Sequence, residues 1–126
     1  MTEADEFTAP TRARPHPHTF YRIVVTNPPT LADFTSNAAR GRAPLSDDPE
    51  VRRLWDGLSV FATLAQARRK ARGAPYLGAY IAELRLPADA AARYERTRGP
   101  GHSTLWAAPA DALAWVVSVV PVKGLG

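Results

Sequence analysis

The run from Gly57 to Arg72 constrains the fold more than any other part of this chain. Gly57-Leu58-Ser59-Val60-Phe61-Ala62-Thr63 reads as a short buried strand ending at Thr63, and Thr63 with Gln66 three residues later makes a capping box for a helix. The result is a strand that feeds a helix with almost no loop. Leu64, Ala67 and Ala71 give that helix an inward stripe, and Arg68, Arg69, Lys70 and Arg72 cover the rest. Ser59 stands among apolar neighbours, where a buried hydroxyl finds a partner or costs about 1–3 kcal/mol. It therefore has a structural bond or a ligand.

The surrounding pattern predicts further elements on both sides. Thr19 to Val25 is a strand with Tyr21, Ile23 and Val25 on one face and Phe20, Arg22 and Val24 on the other, so Arg22 interrupts an apolar face. Such an arginine either snorkels at an edge or waits for an anion at the base of a cleft. Pro28 and Pro29 end the strand. Thr30 then caps a helix to about Arg40, with Asp33 at the capping-box position, Leu31, Phe34 and Ala38 as its stripe, and Gly41 as its C-cap. Asp48-Pro49 starts a second helix that carries Leu54 and Trp55.

In the second half, Ala79–Leu86 is a strand with Tyr80, Ala82, Leu84 and Leu86 on its buried face. The charged run Ala92–Thr97 is an edge strand. Arg98-Gly99-Pro100-Gly101 is a flexible loop that delivers His102-Ser103-Thr104-Leu105-Trp106, polar groups beside an indole after two glycines. A short helix over Pro109–Leu113 precedes Ala114–Val122, an apolar run that reads as a central strand buried on both faces.

Composition narrows the function. At 126 residues the chain is one domain, expected to span 19–122 behind a disordered, proline-punctuated leader (1–18) and before a loose tail (123–126). It has no cysteine and only three histidines, two of them in His16-Pro17-His18, so no recognisable metal site forms and none is expected. The N-terminus lacks a signal pattern and no stretch is long enough for a membrane span, which points to a cytoplasmic protein without a membrane partner. The net charge of +4 comes almost wholly from arginine, the better fork for phosphate and carboxylate. Phosphate-loop, dinucleotide-fingerprint, zinc-protease and nucleophile-elbow motifs are absent from the sequence.

The order of elements resembles the ADP-ribosyltransferase-like fold. Phe20-Tyr21-Arg22, Leu58-Ser59-Val60-Phe61-Ala62-Thr63, Gln66-Ala67-Arg68-Arg69-Lys70-Ala71 and Gly78-Ala79-Tyr80-Ile81 carry the resemblance. It implies a single α+β domain of two small mixed or antiparallel sheets with three or four helices. It also implies NAD as substrate, Arg22 on its phosphate or ribose, and Ser59 supporting the nicotinamide-side ribose and the arginine. The family's Ser-Thr-Ser is Leu-Ser-Val here, and its late glutamate, which stabilises the oxocarbenium-like transition state, is replaced by Gly101-His102-Ser103-Thr104-Leu105-Trp106. Glu95 is the nearest carboxylate upstream. Either it swings in or His102 serves other chemistry, such as transfer from an RNA 2′-phosphate.

The leading expectation is a cleft that binds NAD or an ADP-ribose-like nucleotide. Tyr21, Arg22, Ser59, Thr63, Thr104 and Trp106 are the candidate binding residues and Glu95 and His102 the candidate catalytic ones. ADP-ribosyl transfer to a protein or nucleic-acid acceptor, or NAD glycohydrolysis, would follow from it. The alternative is a non-catalytic module of toxin–antitoxin or effector type, holding an acidic protein or nucleic acid on the arginine-rich helix face.

Overall fold

The computed structural model describes residues 18–44, 46–97 and 101–123. Residues 1–17 of the expected leader, including His16 and Pro17, Arg98, Gly99 and Pro100 of the expected loop, and residues 124–126 of the expected tail lie outside the described residues. Among the described residues six strands follow in chain order: β1 (His18–Val24), β2 (Leu58–Phe61), β3 (Tyr80–Leu86), β4 (Arg93–Arg96), β5 (His102–Trp106) and β6 (Val116–Pro121). Helices α1 (Pro49–Trp55), α2 (Leu64–Gly73) and α3 (Pro109–Ala114) are joined by 3-10 turns at Leu31–Phe34 and Pro75–Leu77. All strand pairs are antiparallel, in the order β4-β5-β2-β1-β3-β6.

The fold is thus α+β, and the described residues form three α-helices and one sheet where two sheets were expected. The sheet has a seam. β1 pairs with β3 along its whole length, His18 opposite Leu86 to Val24 opposite Tyr80, and β2 pairs with β5 over all four of its residues. Between β1 and β2 the register consists of Tyr21 opposite Phe61 alone. Two well-bonded halves therefore meet at one pair and part beyond it.

The face periodicities of β1 and β3 are as predicted. Phe20 and Val24, Leu58 and Val60, and Leu84 and Leu86 point to one core with Phe34 and Ala112 of the elements packed on that face. Ile23, Phe61 and Ile81 point to the other face, where Ala67 and Ala71 of α2 cover them. The capping box of α2 forms as predicted, with the Gln66 N–H donating to Thr63 Oγ1 at 3.1 Å and the Thr63 N–H donating to Gln66 Oε1 at 3.1 Å. Asp48 caps α1 by accepting from the Glu50 N–H at 2.8 Å, and Pro49 occupies its first turn.

Four expectations are corrected. The helix expected over Thr30–Arg40 is a single 3-10 turn, because Thr35 is extended and the Ala38 N–H donates to the Trp55 carbonyl. The apolar run after α3 is an edge strand, β6, with Val117 half exposed at 52%. Ser59 is exposed, so its hydroxyl bears no burial cost. Arg68 of α2 turns inward and donates from Nε to the Val122 carbonyl at 3.1 Å and from Nη2 to the Pro121 carbonyl at 3.2 Å, anchoring the end of β6.

The edge position of β6 has a measurable consequence. Leu84→Ala, at a fully buried position of β3, is expected to cost about 2–5 kcal/mol, whereas Val117→Ala costs under about 0.5 kcal/mol. Urea denaturation of the two variants checks this, and equal losses would put Val117 in the core.

Candidate functional site

At the seam, Arg22 replaces the missing ladder. Its Nε donates to the Asp33 carbonyl at 2.8 Å and its Nη1 to the Ser59 carbonyl at 2.9 Å, so one guanidinium ties β1 to β2 and to the 3-10 turn. Burial is the main cause, and the charge of Arg40 a second, of a pKa lowered to about 10; the charge of Asp33 opposes both. Arg22 is still a cation at neutral pH. A guanidinium has five N–H donors, and two are used here, so three meet no acceptor among the described residues.

Asp33 does not neutralise it directly. Its Oδ1 accepts from the Val25 N–H at 2.7 Å, and its Oδ2 accepts from the Thr26 hydroxyl at 2.6 Å and the Thr30 N–H at 3.0 Å. The carboxylate is thereby consumed in closing the turn after β1. Burial pushes its pKa up, but the hydrogen bonds from Thr26, Val25 and Thr30 together outweigh this and hold it below the usual aspartate value.

Where β1 and β2 part, a cleft opens on both sides of Arg22. One cavity, of about 470 Å³, is lined by Arg22, Ile23, Ser59, Phe61, Lys70, Tyr76, Leu77 and His102. A second, of about 350 Å³, shares Arg22, Ile23, Ser59, Tyr76 and Leu77 and adds Asp33, Ser36, Asn37, Arg40 and Arg42 among others. The shared residues make them two ends of one cleft. Volumes of this order suit a small-molecule ligand, and the cations on the lining suit an anionic one.

Three of the residues singled out from sequence, Arg22, Ser59 and His102, come together here. His102 Nδ1 lies 3.0 Å from both the carbonyl and the hydroxyl oxygen of Thr97, and a carbonyl only accepts, so the first contact is made with Nδ1 protonated. Thr104 is buried and lies behind it, its hydroxyl 2.8 Å from that of Thr97. It supports the histidine and does not line the cleft.

The other candidates fall elsewhere. Tyr21 packs under α2 with Phe61 and Ile23, and the Thr63 hydroxyl is taken up by its capping bond. Trp106 lines a separate cavity, where the guanidinium carbons of Arg53 and Arg93 sit 5.0 and 4.9 Å from its ring centroid. Glu95 of the edge strand is opposite Thr104, which is opposite Ser59, so the three share a row across one sheet face. At a strand spacing of about 4.8 Å that puts the Glu95 and Ser59 backbones roughly 10 Å apart. Its carboxylate is turned away into a bidentate pair with Arg53, at 3.0 Å for each contact.

Comparison with protein-family models, with curated proteins and with solved structures returned no match. The site therefore rests on its own geometry. Tyr76 and Leu77, Lys70, Asn37, Arg40 and Arg42 belong to it and were missed from sequence. Most come from turns, where no periodicity marks a lining residue. Among the described residues no group of three or more metal-ligating side chains converges, and no helix is long and apolar enough to cross a membrane.

The depressed Asp33 pKa sets the sign of a pH effect. A carboxylate with a folded pKa below its unfolded value adds stability that is present above the unfolded value, near 3.8, and is lost as pH falls through the folded one. Asp33→Ala should cost about 1–3 kcal/mol at neutral pH, and its deficit against the wild type should shrink below about pH 3.8. Urea midpoints measured from pH 6 down to about pH 2 test this; a deficit that does not change with pH would mean that the charge is unimportant.

Proposed function

We propose that this chain binds NAD or an ADP-ribose-like nucleotide in the seam cleft, with phosphate on Arg22, ribose against Ser59 and the nicotinamide side toward His102. The observation that carries this is the seating of Arg22. It is held between two carbonyls, is not neutralised by an ion pair, and has three N–H donors without acceptors among the described residues at the centre of the cleft. A half-buried cation left in that state favours an anionic ligand with several oxygen acceptors. Arg40 and Arg42 extend the positive lining on one side and Lys70 on the other, as a pyrophosphate-bridged ligand requires.

The same geometry separates binding from turnover. Cleavage at the ribose carbon develops positive charge that wants a fixed carboxylate beside it. Glu95 is the candidate on that face, and Arg53 holds it at the edge of the sheet together with Glu50. Transfer through Glu95 would require this cluster to break. Our reading is therefore nucleotide binding first, with ADP-ribosyl transfer or glycohydrolysis only in a state that frees Glu95.

Thermal denaturation with NAD and with ADP-ribose provides the test. Ligand at about 100 times its dissociation constant should stabilise the fold by about 2.7 kcal/mol, a shift of several degrees. The shift should vanish in Arg22→Ala, and the ligand-induced shift, not the absolute Tm, is compared because Arg22 also braces the seam. Nicotinamide release from the wild type should stay at background. No shift with either ligand would remove the nucleotide reading.

A further inference from the structure

A separate concavity of about 580 Å³ opens beside the cleft, lined by Arg42, Arg52, Arg53, Trp55, Arg93 and Trp106 among others. Arg42 also lines the Arg22 cavity, so the two adjoin. Both indole N–H groups are used inside the protein, Trp55 donating to the Arg42 carbonyl at 2.9 Å and Trp106 to the Arg53 carbonyl at 3.1 Å. What the tryptophans contribute to the concavity is their ring surface.

The charges around these rings are unequally matched. Arg53 is paired with Glu50 and Glu95, Arg52 lies 3.7 Å from Asp47, and Asp56 is the acidic residue of the lining. Arg40, Arg42 and Arg93 meet no carboxylate among the described residues. Arg42 makes one long contact, 3.4 Å to Asn37, Arg40 reaches the Ala32 carbonyl, and Arg93 lies over Trp106. Unpaired arginines interleaved with aromatic rings in a concave track are the elements by which proteins hold unpaired bases and their phosphates.

We propose that this groove binds a single-stranded nucleic acid, a base stacking on Trp106 in place of the exposed Arg93 guanidinium and phosphates lying on Arg93 and Arg42. A duplex hides its base faces from the rings, and an acidic peptide would use the arginines but not the indoles. The site differs from the arginine-rich face of α2, where Arg68 is committed to the carbonyls of Pro121 and Val122. It shares Arg42 with the nucleotide cleft, but Arg93 and Trp106 lie outside that cleft, so oligonucleotide binding does not require NAD to bind there.

The test is fluorescence anisotropy of a labelled oligodeoxythymidylate, and of its RNA counterpart, each of about ten residues. Two phosphate contacts at a logarithmic slope of about −0.7 each predict a roughly 7-fold loss of affinity between about 50 and about 200 mM salt. The double variant Arg42→Glu/Arg93→Glu, changed at two exposed positions, should lose at least about tenfold. Arg69→Glu/Arg72→Glu on α2 should bind like the wild type. Binding should quench tryptophan emission, and the quench should be lost in Trp106→Phe. The proposal is overturned by absence of salt-dependent binding, by groove reversals without effect, or by loss of binding in the α2 variant. It is also overturned if polyglutamate displaces the oligonucleotide at equal charge and the Trp106 quench does not occur, which would identify an acidic protein surface as the partner.

Discussion

The structure depends on one guanidinium set where a strand ladder should continue. β1 and β2 share a single register pair, and beyond Tyr21 and Phe61 the work of joining them falls to Arg22. Hydrogen bonds from a charged donor are worth about 1.5–3 kcal/mol each, more than the neutral bonds of a ladder. One arginine can thus hold the seam while leaving it open. An apolar residue at position 22 could close the core but could not reach the two carbonyls, and the halves β4-β5-β2 and β1-β3-β6 would then be joined by Tyr21 and Phe61 alone.

Asp33 makes that arrangement possible by staying out of it. Three donors saturate its carboxylate and fix the turn that follows β1, which presents its carbonyl, and not its charge, to Arg22. Burial of the aspartate is tolerated because the hydrogen bonds favour its charged form more than desolvation disfavours it. Other close contacts support the same seam. A Cβ at Gly57 would stand 2.3 Å from the Thr104 methyl, and one at Gly78, whose φ is +152°, would stand 2.3 Å from the Val24 carbonyl oxygen. Those two glycines let β5 and the 3-10 turn carrying Tyr76 approach the split strands.

Much of this was legible in the residues, and the failures have physical causes. Period-two alternation identified β1 and β3 and their faces, and local side-chain chemistry placed the capping box of Thr63 and Gln66 and the Asp48-Pro49 start of α1. Those signals are local, so they need no knowledge of topology. The Thr30–Arg40 helix failed because Asp33 reaches back to Val25 and Thr26 in addition to Thr30, and the Ala38 N–H is drawn to Trp55; both are tertiary contacts. β6 was misplaced because an apolar run reports hydrophobicity and not sheet position. Arg22 and Ser59 were rightly joined, but through the carbonyl of Ser59, a group that every residue carries and no sequence pattern marks. Likewise the split itself, which turns two expected sheets into one sheet with a seam, is a matter of pairing that composition does not encode.

Two arginines on this domain show how partner chemistry decides what a cation is for. Arg53 is gripped by Glu50 and Glu95, and those pairs raise its pKa, so its charge is spent within the protein. Arg22 is gripped by two carbonyls, which satisfy its geometry but leave its charge uncompensated, and burial accordingly lowers its pKa. The first arrangement stabilises an edge strand against α1 and removes Glu95 from the cleft. The second keeps a positive centre where the sheet opens. An exchange of partners, Glu95 to the seam and carbonyls to Arg53, would neutralise the cleft and expose a cation at the edge; the observed distribution does the reverse, and it leaves the cleft with a cation that no carboxylate among the described residues pairs.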